Sequence, residues 1–391
     1  MGNPRATGKN HEVTGETSTR RAPGADEMRV RGKADHRMRL VYLLESAAQL
    51  WGGIKSALAG ANLLAAKGHD VTVLSKSPPP DWMSCGFRYR QVPDFAPQHI
   101  PESDLVIGTD WSTVPFAAQS TTGTPVHFVQ GYEGCFEQNR AIWDQIDAVY
   151  RLPVAKIVIS AHLQQLLQSK FECGSRFVPY MIDHDVMFPS LCRRPKNNPV
   201  RVGVVGPYQV DWKDIPTALE ACSIAASAGL DLELVRVTNT APAPEEHDLP
   251  FPVEWHVRVP PARMGHLYRS MDVFLASSQG SEEGFFLPAV EAMACGVACV
   301  LTDVPCFRSY GSGQYALFVP PKDPFEMAQA LTLATTDALR RPLAKAGLEI
   351  AQLYREPIHV EALEAVFGGI IADSRASSPT PSPSVPVVAH E

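Results

Sequence analysis

The sequence predicts an α/β protein made of two doubly wound domains that face each other across a cleft. Short apolar runs alternate with helix-length segments along most of the chain, which is typical of parallel sheets with helices on both faces. A polar, proline-bearing stretch at 193–199 divides this alternation into two similar series. The 391 residues are enough for two domains, each with a core of its own.

Composition and charge exclude several classes of protein. The chain is 45% hydrophobic and 20% charged, as soluble globular proteins are, and no apolar run approaches a membrane span or a signal peptide. A net charge of −7 without a basic stripe argues against nucleic acid as a partner. The eight cysteines are scattered, with no Cys-x-x-Cys pair, so we expect a reduced, cytoplasmic setting.

The first domain is predicted at 39–192, after a polar, mildly basic arm at 1–38 that we expect to be disordered. Two interpretations of the arm stay open. In the first, the arm is an inert extension or results from a start codon misplaced before Met28 or Met38. In the second, it makes a weak peripheral contact with an anionic membrane. Strands are expected at 40–44, 71–74, 105–107, 126–129 and 157–159. Gly52 and Gly53 lie at the first strand-to-helix turn, where backbone amides can approach a ligand closely, although such pairs also make ordinary turns.

The second domain is predicted at 200–356, with the linker at 193–199 before it. Its strands are expected at 202–205, 232–237, 253–257, 272–276, 297–301 and 316–319. An amphipathic helix at 357–372 follows, and then a Ser- and Pro-rich tail at 373–391 that has no core to form. In open α/β sheets ligands lie at the carboxyl ends of the strands, so both Rossmann-like domains should offer loops to one cleft.

The stretch 281–291 combines two carboxylates with a predicted helix start. Glu283 would lie on the loop after a strand, and Glu291 in the first turn of a helix opened by Pro288. Free amides at the start of that helix would bind phosphate between the carboxylates. The amides belong to Gly284, Phe285, Phe286 and Leu287. The pattern favours a ligand with phosphate and hydroxyls, such as a sugar nucleotide; ordinary helix capping by the acids is the alternative.

This stretch, E-G-F-x-L-P-x-x-E followed by A-M-A-C-G-V-A-C-V-L-T-D, resembles the E-x7-E signature of retaining glycosyltransferases of family 4, which have the GT-B fold. The resemblance extends over about residues 39 to 371. It implies a C-terminal helix that crosses back to the first domain, and a nucleotide diphosphate sugar as co-substrate with no resident cofactor. It also implies that Glu283 binds the donor sugar and Glu291 the ribose.

The segment 203–215 opens the second domain with Gly206 and Lys213 at the mouth of the cleft. An ammonium there can pair with donor phosphates, whereas the alternative is a solvated surface lysine. Relatives place an arginine directly after the glycine, and this chain has Pro207. Either another cation serves, or the diphosphate depends on Lys213 and backbone amides.

The segment Q-G-Y-E at 130–133 follows a strand of the first domain, and there the family resemblance places Gln130 where many relatives have a sugar-contacting histidine. His127 is then interpreted as a core residue. The pattern also resembles a bacterial subset that builds surface polysaccharides or transfers deoxysugars. Further acceptor-side candidates in this domain are Asp110, Trp111, Tyr132 and Glu133.

The triplet Asp183-His184-Asp185 has the form of a D-x-D metal motif, but its surroundings match the I-D-x-x-x-F-x-P hinge of GT-B enzymes. With no other carboxylate cluster suited to Mg²⁺, we expect metal-independent catalysis. Lys213 and helix amides would stabilise the departing diphosphate. The resemblance to retaining GT-B enzymes further implies that the leaving phosphate itself accepts the acceptor's proton.

Three functions remain open from the sequence. The favoured one is retaining transfer of a hexosyl or deoxyhexosyl group from a nucleotide sugar to a saccharide or other hydroxyl acceptor. The second is an epimerase or phosphorylase on the same fold, since a fold does not dictate chemistry. The third is a non-catalytic sugar-nucleotide binding protein, which the departures at Gln130 and Pro207 leave open.

Overall fold

The computed structural model describes residues 37–48, 51–190 and 199–377. Almost all of the arm expected at 1–38, most of the linker at 193–199 and the end of the tail expected at 373–391 lie outside the described residues. The described residues form two parallel sheets covered by helices. None of the helices in these three ranges is long and apolar enough to cross a membrane.

The first domain is a seven-stranded sheet in the order β3-β2-β1-β4-β5-β6-β7, with every pair parallel. The strand order runs outward in both directions from β1, which is the doubly wound arrangement that the sequence predicts. The strands are β1 (Arg39–Leu44), β2 (Asp70–Ser75), β3 (Arg88–Gln91), β4 (Leu105–Gly108), β5 (Thr124–Val129), β6 (Ala155–Val158) and β7 (Arg176–Phe177). The helices are α1 (Gly52–Ala66), α2 (Val114–Gln119), α3 (Trp143–Tyr150) and α4 (Ala161–Phe171).

The second domain is a six-stranded parallel sheet in the order β10-β9-β8-β11-β12-β13. Its strands are β8 (Val200–Val205), β9 (Leu232–Thr238), β10 (Val253–Val257), β11 (Val273–Ala276), β12 (Ala298–Thr302) and β13 (Leu317–Val319). Its helices are α5 (Ile215–Ser227), α6 (Pro261–Ser270), α7 (Leu287–Ala294), α8 (Pro305–Arg308), α9 (Pro324–Thr335) and α10 (Asp337–Ala351). The central strands are largely apolar because helices cover both faces of the sheet.

Two strands of the first sheet were not expected from the sequence. β3 is the polar segment Arg-Tyr-Arg-Gln at one edge, and β7 at the other edge is only two residues long. Edge strands are half-solvated, so their residues need not form the apolar runs by which buried strands are recognised. The other strands lie within two residues of their predicted bounds.

A final helix, α11 (Glu356–Ser377), crosses back to the first domain, as the family resemblance implies. His359 donates from Nδ1 to the carbonyl of Pro179 at 2.6 Å, and Glu364 pairs with His69 at 3.0 Å. The helix packs along α1, where a Cβ on Gly60 would lie 3.0 Å from the His359 ring. It continues to Ser377, five residues past the predicted end at 372, and Arg176 pairs there with Asp373.

An aromatic cluster joins the two domains behind the 281–291 stretch. The ring of Phe285 packs against Tyr180 of the first domain at 5.1 Å between centroids, and against Tyr354 at 5.1 Å. Tyr354 donates to the carbonyl of Tyr310 at 2.8 Å, which ties the cluster to the second domain. The loop before α7 is therefore held by apolar packing from both domains.

Candidate functional site

The carboxyl ends of both sheets face one cleft of about 790 Å³ that is lined by residues of both domains. In doubly wound sheets this edge is where ligands bind. Thirteen residues that the sequence singles out line the cleft. They are Gly52, Gly53, Asp110, Gln130, Glu133, Gly206, Lys213, Glu283, Gly284, Phe285, Phe286, Leu287 and Glu291.

Glu283 lies on the loop between β11 and α7, and its side chain is buried. One carboxylate oxygen, Oε2, pairs with the ammonium of Lys213 and accepts a hydrogen bond from Ser278 at 3.0 Å. His162 of the first domain donates from Nε2 to the backbone carbonyl of Glu283 at 2.9 Å, while burial lowers the pKa of that histidine. A neutral histidine thus fixes the backbone of Glu283 across the domain boundary.

Lys213 ends a short turn, Asp211–Lys213, on the loop that follows β8. Its carbonyl accepts from Ser277 at 2.9 Å, and its ammonium lies 4.3 Å from the centroid of the Phe286 ring. The side chain is only 15% exposed, so the interpretation as a solvated surface lysine is wrong. A largely enclosed ammonium beside the start of α7 is placed to attract anions.

Glu291 is the fifth residue of α7 rather than a member of its first turn, which holds no acidic residue. Its Oε1 pairs with Lys55 of the first domain at 2.9 Å, and its Oε2 accepts from the Tyr268 hydroxyl at 2.9 Å. Since the carboxylate bonds side chains and not helix amides, the capping interpretation does not hold for Glu291. Its oxygens face partners that a ligand with hydroxyls can replace.

Two glycines of the site have conformations or neighbours that exclude a side chain. Gly206, at the end of β8, has a φ of 134°, a region that L-residues rarely adopt. A Cβ on Gly284 would lie 3.0 Å from the Cα of Gly131 and nearer still to the carbonyl oxygen of Gln130. The backbones of the two domains therefore touch at Gly284, directly before the helix start.

Gln130 is held at both ends of its amide. The Tyr180 hydroxyl donates to its Oε1 at 2.6 Å, and its Nε2 donates to the carbonyl of Thr109 at 3.4 Å. A Cβ on Gly53 would lie 3.3 Å from the same Oε1, so α1 begins against this amide. Gln130 is a rigid, neutral group on the first-domain wall of the cleft.

Asp110 and Glu133 line the same wall. The Tyr150 hydroxyl lies 2.6 Å from Glu133 Oε2 and 2.7 Å from the carbonyl of Gly131. Burial, assisted by the nearby charge of Asp110, raises the pKa of Glu133 to about 8. Glu133 is therefore largely protonated at neutral pH, so its carboxyl group is a potential hydrogen-bond donor on this wall.

Two acceptor-side candidates do not reach the cleft. Trp111 packs against the hydrophobic core, and Tyr132 is buried, with its hydroxyl between Asp147 and Lys170. Their neighbours face the cleft because successive residues of these turns point in different directions. His127 is a core residue, as interpreted: its ring packs on Tyr150 at 4.8 Å, and burial lowers its pKa to about 3.

The Asp183-His184-Asp185 triplet lies outside this cleft. Oδ1 of Asp183 accepts from the backbone amides of Asp185 at 2.9 Å and Val186 at 3.2 Å, which is a local turn. Among the described residues, no group of three or more His, Cys, Asp or Glu side chains is arranged to hold a metal ion.

Several functional candidates became visible only in the structure. Lys55, Tyr268, His162 and the stacked pair of Phe136 and Trp212 all surround the predicted groups. Trp212 precedes Lys213 and Lys55 follows the glycine pair, so proximity to a motif was an available signal for these two. For Tyr268 and His162 the sequence holds no such signal, because only folding brings them to Glu291 and Glu283.

The comparison with solved structures supports the same architecture. Sucrose-phosphate synthase from Thermosynechococcus elongatus superimposes with a TM-score of 0.68 at 19% identity, covering 88% of this chain and 100% of that one. A glycosyltransferase from Rickettsia africae gives 0.66 at 12%, covering 86% and 99%. The fold is GT-B.

A third structure with this GT-B fold is Anabaena HepE, solved in complex with UDP-glucose. It gives a TM-score of 0.65 at 15% identity, covering 85% of this chain and 100% of that one. Residues 199–337, most of the second GT-B domain, match the family model of glycosyl transferases group 1. No curated protein sequence matches the chain at a significant level.

Proposed function

We propose that this protein is a retaining glycosyltransferase that moves a sugar from a nucleotide diphosphate sugar to a hydroxyl of a saccharide or related acceptor. The observation that carries the proposal is the ion pair of the part-buried Lys213 with the buried Glu283 beside the start of α7, in a cleft that both domains line. A cation, a carboxylate and helix amides in one cleft would together suit the phosphates and hydroxyls of a sugar diphosphate, which supports the proposal. The match of residues 199–337 to glycosyl transferases group 1 supports the same reaction class.

In this proposal the second domain binds the donor. Lys213 and the first amides of α7 stabilise negative charge on the diphosphate as it leaves. Glu283 binds hydroxyls of the donor sugar. Glu291 binds hydroxyls of the ribose, which replace one of the side chains that its carboxylate now contacts. UDP is the first nucleotide to test, because HepE was solved with UDP-glucose.

The first domain orients the acceptor and completes the sugar site. Gln130, held by Tyr180 and Thr109, presents a neutral amide to the sugar, and Asp110 and Glu133 face the acceptor. Glu283 is already engaged by Lys213 and Ser278, so we assign it to positioning rather than to nucleophilic attack. The leaving phosphate then accepts the proton of the attacking hydroxyl.

We further propose that the reaction needs no metal, because Lys213 and the amides of α7 supply the positive charge. Transfer should then persist in EDTA. An activity that EDTA abolishes and Mg²⁺ restores would contradict this part of the proposal.

The proposal is tested by binding and turnover on the same protein. Thermal shift with UDP, GDP, ADP and dTDP should single out one nucleotide, which stabilises by about 2.7 kcal/mol at 100 times its Kd. Glu291→Ala should lose that response. The matching nucleotide sugar should then be hydrolysed slowly and transferred faster once an acceptor is present, and NMR of the product should show the donor's anomeric configuration.

Other outcomes point to the other functions. Interconversion of the sugar without an acceptor indicates an epimerase, and binding without turnover on any acceptor indicates a binding protein. If none of the four nucleotides shifts the wild type, the transferase proposal is wrong.

A further inference from the structure

Lys55 forms an ion pair across the cleft that the proposed donor chemistry leaves unused. It is the fourth residue of α1 in the first domain, and its ammonium lies 2.9 Å from Oε1 of Glu291, on α7 of the second domain. The Lys55 side chain is 31% exposed, whereas that of Glu291 is 6% exposed. A flexible, part-solvated cation thus contacts a buried carboxylate that belongs to the other domain.

The cleft is short of positive charge for a diphosphate. Among the described residues that line it, only Lys55, Lys213 and Arg258 carry cationic side chains. Arg258 is exposed and its Nε bonds the carbonyl of Asn239 at 3.4 Å. The residue after Gly206 is Pro207, which adds neither charge nor an amide proton. Among the described lining residues, the second domain therefore contributes one part-buried ammonium, that of Lys213.

The starts of two helices converge beside Lys55. A Cβ on Gly52, the first residue of α1, would lie 3.7 Å from Cδ1 of Leu287, the first residue of α7. Both helix N-termini therefore direct their positive dipole ends to the same part of the cleft. Lys55 is one turn from the start of α1, and its four-carbon stem lets the ammonium move by several single-bond rotations.

We propose that Lys55 is a ligand of the donor's diphosphate, supplied by the first domain, and that its pair with Glu291 is the contact that the nucleotide replaces. This inference rests on the proposed function. When the nucleotide enters, ribose hydroxyls take Oε1 of Glu291 and the ammonium turns to the phosphates. The exchange leaves neither charge without a partner, which a buried carboxylate requires.

The exchange has a consequence for selectivity. When a nucleoside diphosphate binds, its ribose displaces Lys55 from Glu291 and its phosphates give the ammonium a new partner. A nucleoside displaces Lys55 in the same way but has no phosphate to pair with it. Lys55 should therefore favour diphosphates and oppose nucleosides. Because it comes from the first domain, it also couples donor binding to contact between the domains.

The test compares the binding of UDP and uridine by isothermal titration calorimetry to wild type, Lys55→Met and Lys55→Arg. If the thermal-shift screen selects another nucleotide, that nucleotide and its own nucleoside are used instead. We expect Lys55→Met to weaken the diphosphate on the order of tenfold, the value of one hydrogen bond to a charged group. Uridine should bind Lys55→Met as tightly as it binds the wild type, or more tightly. Lys55→Arg should retain most of the wild-type affinity for UDP. Lys67→Met, at the exposed far end of α1, removes the same charge away from the cleft and should change neither ligand.

The inference is overturned if Lys55→Met weakens UDP and uridine equally, since a damaged cleft would do that, or if it changes neither. It is also overturned if Lys67→Met weakens UDP as much as Lys55→Met does, because loss of positive charge anywhere on α1 would then explain the weaker binding. A wild type that binds none of the four diphosphates would instead contradict the proposed function itself. Circular dichroism of each variant separates these outcomes from unfolding.

Discussion

The ring of Phe136 stacks on the ring of Trp212 across the cleft, with centroids 4.5 Å apart and an interplanar angle of 1°. Phe136 belongs to the first domain and Trp212 to the turn that presents Lys213 in the second. Both line the cleft, and stacked pairs of this kind contribute about 0.5–1.5 kcal/mol beyond the area they bury. The stack therefore holds the turn of Lys213 against the first domain.

Removing this stack should loosen closure more than it harms donor binding. Phe136→Ala should raise the ratio of donor hydrolysis to transfer, because an open cleft admits water. Both rates are measured with the same radiolabelled donor. Phe325→Ala, which removes a 63% exposed phenylalanine on α9, is the control and should leave the ratio unchanged. An unchanged ratio in Phe136→Ala would show that the stack has no part in closure.

Loss of the Lys213 ammonium should act on turnover. Lys213→Met removes the charge that the proposed function assigns to the leaving diphosphate, and loss of one such group costs about 100-fold in kcat. It also leaves Glu283 buried with Ser278 as its remaining described partner, so the double variant with Glu283→Gln separates the two effects. Steady-state kinetics with the donor is the measurement. A kcat near wild type in Lys213→Met would remove this residue from catalysis.

A methyl group at Gly284 should separate binding from transfer. In Gly284→Ala the added Cβ meets the backbone of Gln130 and Gly131, so the two domains cannot approach as closely. Nucleotide binding to the second domain should persist, while transfer should fall by about tenfold or more, as misplaced reacting groups cause. Gly131→Ala is the matched control, since a Cβ there meets no atom within 4 Å. Equal losses in both variants would contradict the steric explanation.

Glu133 should make stability depend on pH. Its pKa in the folded chain is about 8, against an ordinary value of 4.5. Between these two pH values the Glu133 carboxyl is ionised in the unfolded chain but stays protonated in the folded chain. The wild type therefore loses stability as pH rises from 5 to 8, and the loss levels off above 8. Glu133→Gln has no carboxyl to ionise and so avoids this loss. Its free energy of unfolding, relative to that of the wild type, should therefore rise between pH 5 and 8 by on the order of 1 kcal/mol per pH unit.

Urea titrations at pH 5, 6.5 and 8 measure this difference. Glu137→Gln, which changes an exposed acid four residues away, should show no comparable trend. A constant difference between Glu133→Gln and wild type across the three pH values would mean that Glu133 ionises normally.

Much of the fold was predictable because buried parallel strands leave a strong local pattern. β1, β11 and β12 were expected within two residues of their bounds, since each consists mainly of a short apolar run. The polar edge strand β3 has no such pattern, and its place in the sheet depends on pairing with β2. Most residues of the 281–291 stretch line the cleft where the sequence predicted them, because the motif is contiguous.

The sequence by itself determined the two α/β domains, the GT-B architecture and the contiguous groups of the candidate site, among them Glu283, Glu291 and Lys213. Only the tertiary structure decided their partners. Lys55 and Glu291 are 236 residues apart in the chain, and His162 and Glu283 are 121 apart, yet each pair is in hydrogen-bond contact. Local pattern reports which face of an element is buried, whereas contacts between distant elements depend on how the sheets pack. For the same reason Tyr132 belongs to the core and Trp111 packs against it, although both are beside cleft residues in sequence.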